Sequence, residues 1–90
     1  MQTYVIEREI PGAGRMTPEQ LREAARKSNE VLAGLGPGIR WQHSYVTGDK
    51  LFCVYQADGE ERVREHARQS GFPASRITPV SSVIGPRTAD

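Results

Sequence analysis

The sequence predicts an α+β fold with the element order β-α-β-β-α-β, and three observations carry that prediction. Two segments repeat apolar residues at helical spacing, around 18–34 and 58–71. Four runs rich in β-branched and aromatic residues flank or separate them. Glycine and proline clusters, such as Pro11-Gly12-Ala13-Gly14 and Gly36-Pro37-Gly38, punctuate the boundaries.

Thr3 to Glu9 reads as the first strand, stopped by the loop from Ile10 to Gly14. Thr17-Pro18-Glu19-Gln20 then carries three helix-start signals: an N-cap threonine, a proline at the first helical position and a glutamine that completes a capping box. Leu21, Ala24, Ala25, Ser28, Leu32 and Leu35 follow on one face, with charged residues largely opposite. Ile39 to Val46 and Leu51 to Gln56 form two strands joined by the hairpin turn Thr47-Gly48-Asp49-Lys50. The second helix starts near Asp58, an N-cap with Glu61 three residues on, and runs to Gly71. Ile77 to Ile84 is the last strand, placed at a sheet edge or given a bulge because Pro79 cannot donate to a ladder.

Two right-handed split β-α-β units give a four-stranded antiparallel sheet with both helices on one face, the ferredoxin-like plait. The chain is read as one domain over residues 1–90, with an ordered core from about 3 to 84 and a loose tail from 85 to 90. The second sheet face is uncovered in a monomer. A homodimer of the α/β-barrel kind, paired through that open face, is therefore expected.

Composition narrows the function. Twelve basic residues stand against 11 acidic ones, so the basic excess of a phosphate-gripping nucleic-acid binder is missing. No apolar run approaches the ~20 residues needed to span a bilayer, and Met1 to Tyr4 lack the basic head of a signal peptide, so a cytoplasmic protein is expected. The single cysteine, Cys53, excludes an internal disulfide, and no CxxC or CxxH pair marks a structural zinc site. Cys53, in mid-strand, reads as a small apolar residue rather than a nucleophile. Gly12-Ala13-Gly14 lacks the third glycine of a dinucleotide fingerprint, and no GK[ST] or G-x-S-x-G is present.

The chemistry-bearing residues cluster in RWQHSYV, residues 40–46, where Trp41, His43 and Tyr45 alternate. A two-residue turn at Gly48-Asp49 pairs Val46 with Leu51, Tyr45 with Phe52 and His43 with Val54. Regular alternation then groups Trp41, His43, Tyr45, Phe52 and Val54 on one face, assigned to the open side, while the helices cover Val46, Leu51 and Cys53. His43 is either a packing residue between aromatics or a metal ligand or acid–base group. His66 is either a residue at the core margin or a second imidazole. Glu7 is either an outward acid paired with a base or an oxygen ligand. No H-E-x-x-H pair encodes a local site, so any metal centre has to be assembled in space or across a dimer.

The segments VIEREIPG, MTPEQL, RWQHSYVTGDKLFCVYQA and VREHARQSGFPASRITPV, taken with this element order, resemble the small bacterial proteins of the domain of unknown function 4242 family, from about Tyr4 to Ile84. The resemblance implies a ferredoxin-like fold, a homodimer and binding of a divalent metal, nickel. His43 and His66 match positions where the family places histidine, and Glu7 lies in the matching first strand. The resulting expectation is a non-enzymatic nickel-binding homodimer with His43, His66 and Glu7 as ligands, water completing the sphere and no organic cofactor. The alternative is a small-molecule binder or cofactor-free enzyme with Trp41, His43, Tyr45 and Phe52 around an apolar pocket.

Overall fold

In the first strand, β1 (Gln2–Glu9), the buried side chains are Tyr4, Ile6 and Arg8, at every second position as a sheet covered on one face demands. The computed structural model describes residues 1–90 and continues with α1 (Pro18–Leu35), β2 (Ile39–Val46), β3 (Lys50–Ala57), α2 (Glu60–Ser70) and β4 (Arg76–Pro79). The four strands form one antiparallel sheet in the order β2-β3-β1-β4. This is the α+β plait predicted from the sequence.

The local signals act as their chemistry dictates. Thr17 Oγ1 accepts from the Gln20 amide at 3.1 Å, and Gln20 Oε1 accepts from the Thr17 amide at 2.9 Å, closing the capping box of α1. The chain leaves α2 through Gly71 at φ 78°, a left-handed turn that a side chain would strain. Gly14 has a packing role instead. A Cβ there would stand 3.0 Å from both the Gly48 Cα and the Thr47 carbonyl, so its absence lets the loop after β1 dock on the β2–β3 turn.

Several boundaries differ from the prediction, most by a single residue. Gly59, not Asp58, is the N-cap of α2, without a side-chain cap; Glu60 and Glu61 in the first turn complement the helix dipole instead. The last strand ends at Pro79 rather than Ile84. The Val80 amide still donates to the Thr3 carbonyl at 2.8 Å, but β1 begins at Gln2, so the chain beyond Val80 has no neighbour left to pair with. The tail is not wholly irregular, since Pro86–Ala89 makes a single exposed 3-10 turn.

The register of β2 decides what each face carries. Val46–Leu51, Tyr45–Phe52 and His43–Val54 pair as the turn predicts, but the next partner of Tyr55 is Trp41, with Gln42 left as the extra residue of a β-bulge. Directly opposed residues share a face. Trp41 therefore lies with Tyr55 under the helices, not beside His43 and Tyr45 on the open side as strict alternation requires. Its indole Nε1 donates to Ser44 Oγ at 2.9 Å, and its ring stacks 6.4 Å from that of Tyr55.

The core lies between the sheet and the helices: Tyr4, Ile6, Ile39, Cys53, Tyr55, Ala57 and Val63, bordered by Leu32, Leu35 and Ile77. Ile6 is fully buried at its centre. Ile6→Ala removes its contacts on all sides and should lower the unfolding free energy in urea by about 2–5 kcal/mol, with the slope against denaturant unchanged.

Candidate functional site

The two faces of the sheet hold different chemistry. On the open face, Glu7 pairs with Phe52 and Phe52 with Tyr45, while Val5 pairs with Val54 and Val54 with His43. Val5, Phe52 and Val54 are half-buried, whereas His43 and Tyr45 are exposed. The His43 ring stands edge-on to Tyr45 at 5.1 Å. Glu7 lies between Lys50 Nζ at 3.6 Å and Arg76 Nε at 3.9 Å. Glu7 and His43 thus share the open face but belong to strands two apart, with backbones separated by about 10 Å.

His66 lies on the other side. It is fully buried beneath α2, its Nε2 is 3.0 Å from Ser28 Oγ on α1, and its ring is 5.1 Å from that of Tyr55. The sheet therefore separates His66 from His43 and Glu7. No three His, Cys, Asp or Glu side chains come close enough to hold a metal ion. The donors of one chain do not fit a nickel centre, so a site using His43 or Glu7 needs ligands from elsewhere.

The helix-covered face also holds a polar cluster that lies outside the expected ligand set. Arg8 is 1% exposed. Its Nε contacts Cys53 Sγ at 3.4 Å, and Nη1 donates to the Pro73 carbonyl at 2.9 Å. The rings of Tyr55 and Phe72 lie 5.9 and 5.8 Å from the guanidinium carbon. Ser28 Oγ is 3.4 Å from Tyr55 Oη, which links the hydroxyls to His66. The signals were present in the sequence: Arg8 is in phase with Tyr4 and Ile6, and Ser28 stands in the apolar series of α1. Burial pushes the His66 imidazole down to about 4, with the nearby Arg8 charge adding to the effect and the Ser28 contact opposing it. Burial likewise raises the Tyr55 phenol, so both rings are neutral near pH 7.

Against this cluster lies a cavity of about 230 Å³ between α1 and the sheet. Small side chains on α1, Ala24, Ala25 and Ser28, face Trp41 and Tyr55 and leave the space between them. Of the four residues expected around an aromatic pocket, only Trp41 lines it; His43, Tyr45 and Phe52 are on the opposite face. The bulge at Gln42 is the reason for that division.

A family model described as "Nickel responsive protein SCO4226-like" matches residues 4–80. No curated protein matches the chain. Among solved structures, the chain is similar to the crystal structure of SCO4226 from Streptomyces coelicolor A3(2), with a TM-score of 0.77 and 15% identity over 91% of this chain and 99% of that one. At that identity the likeness is one of fold. No helix is long and apolar enough to cross a membrane.

The buried imidazole makes stability depend on acid. Above about pH 6.5 the ring is neutral in both the folded and the unfolded chain. Between about 6.5 and 4 only the unfolded chain takes up the proton, so folded stability falls as pH falls and levels off once the native ring titrates. The loss amounts to at most about 3 kcal/mol. Urea unfolding at stepped pH should show this slope in the native chain and lose it in His66→Leu.

Proposed function

We propose that this chain, which belongs to the nickel-responsive SCO4226-like family, is a non-enzymatic protein that binds a divalent transition metal, nickel, as a homodimer joined through the open face of its sheet. The observation that carries the reading is the placement of an exposed imidazole, His43, beside a half-buried apolar strip of Val5, Phe52 and Val54 on a face that no helix covers. The resemblance to the domain of unknown function 4242 family fits the same grouping, and the cytoplasm is the compartment the reading assumes.

In this proposal His43 supplies the imidazole, a ligand type that suits nickel. Because the donors within one chain do not converge, the second copy contributes its own His43, and water fills the remaining positions. Glu7 serves as an oxygen donor or as the local negative charge, in exchange with Lys50 and Arg76. His66 takes no direct part, since it lies on the far side of the sheet and contacts Ser28. It acts by packing.

Calorimetric titration of untagged protein with Ni²⁺ tests the ligands. His43→Ala should weaken binding at least about tenfold, the loss of one metal–imidazole bond exceeding about 1.4 kcal/mol. Glu7→Gln should weaken it less, and His66→Leu should leave it unchanged. Sedimentation equilibrium tests the assembly: Val54→Lys places a charge within the apolar strip and should yield monomer with impaired nickel binding. Full binding by a monomeric Val54→Lys protein would rule out the shared site.

A further inference from the structure

The buried guanidinium of Arg8 has only neutral company. It joins none of the salt bridges of the chain. Its neighbours are a sulfur, a backbone carbonyl and two aromatic rings, and Nη2 has no partner among the protein atoms. Arginine does not shed its proton in proteins. A full positive charge thus sits 1% exposed, without a carboxylate, on the wall of a cavity that is otherwise mostly apolar. Proteins seldom bury a charge this way unless something pairs with it.

We propose that the cavity between α1 and the sheet binds a small apolar monocarboxylate, with the carboxylate on Arg8 and the hydrocarbon body against Leu21, Ala25 and Trp41. Nη2, the one guanidinium nitrogen without a protein partner, can give a carboxylate a charge-assisted hydrogen bond, and the aromatic faces of Tyr55 and Phe72 flank the group. The hydroxyls of Ser28 and Tyr55, on the same wall, are bonded to each other and to His66 and leave at most one further donor. The single charge of one guanidinium matches a monocarboxylate and leaves the second charge of a phosphate uncompensated in this lining. Size sets the rest of the ligand. A cavity of about 150 Å³ accommodates benzene, so about 230 Å³ suits a single six-membered ring or a short aliphatic chain with its carboxylate. Val46 lines the cavity yet is 44% exposed, which puts it at the mouth.

Trp41, the only tryptophan, is a built-in reporter for this site. Untagged full-length protein titrated with cyclohexanecarboxylate should show a saturable change in tryptophan fluorescence and 1:1 calorimetric binding. Cyclohexanecarboxamide, neutral and nearly the same shape, should bind about tenfold or more weakly, because a charge-assisted contact is lost. Ala25→Phe should fill the cavity and abolish binding while the far-ultraviolet dichroism stays native. Arg8→Met should bring the carboxylate down to the affinity of the amide. If that variant does not fold, Ala25→Phe and the carboxylate-to-amide ratio of the native chain decide the matter. Absence of saturation at millimolar carboxylate, equal binding of the amide, or binding that survives Ala25→Phe would each overturn the proposal. His43→Ala leaves this titration unchanged, because His43 is on the opposite face, so failure here and failure of the nickel reading are distinguishable.

Discussion

The extra residue Gln42 in β2 reverses the phase of the strand between Trp41 and His43, and the division of side chains between the two faces of the sheet follows from it. Without an inserted residue, residues 41, 43 and 45 share a side and their aromatic and imidazole rings form one row. With it, the indole joins Tyr55 and Ser44 beneath α1, while His43 and Tyr45 stay on the open face. One inserted residue thereby separates a candidate metal ligand from a cavity wall. The bulge keeps Ile39 buried at one end of β2 while leaving His43 exposed nearer the other.

Beneath the helices, polar groups are buried together with the apolar core. Arg8, Ser28, His66 and Ser70 are all buried alongside the apolar cluster. His66 Nδ1 and Arg8 Nη2 have no protein partner, and each such group costs free energy relative to water. The expense is offset in part by the carbonyl of Pro73, the hydroxyl of Ser28 and the two aromatic faces against Arg8. An arrangement of this kind is more easily understood as a binding surface than as a stabilising device, since apolar residues of similar volume generally hold a core at least as well. The open face has the opposite character, with its one carboxylate at mid-sheet, Glu7, already flanked by Lys50 and Arg76. The two surfaces are chemically independent.

Most of the fold was legible from short-range chemistry. Thr17 and Gln20 announce the start of α1 because they satisfy the amides that the first turn leaves free. The Thr47–Lys50 turn fixes the hairpin register, since a two-residue loop allows only one pairing of its flanks. The end of β4 was not legible, because it depends on where β1 begins rather than on the composition of residues 80–84. The N-cap of α2 falls one residue later than its composition suggests, at Gly59, because Asp58 still continues the sheet edge through its amide bond to the Gly38 carbonyl.

The order of the elements, the helix-covered side of β3 and the inventory of groups that could do chemistry can be read from the residues alone, because periodicity and capping are properties of neighbours along the chain. Which of those groups meet depends on contacts between parts of the chain far apart in sequence. The bulge at Gln42 sends Trp41 inward, the sheet puts His66 and His43 on opposite sides, and the packing of the helices over the sheet buries Arg8 beside a cavity. A bulge leaves no composition signal of its own, and the period that puts Arg8 in line with Tyr4 and Ile6 does not say that a cavity lies beside it. Both are fixed by the geometry of residues distant in the chain.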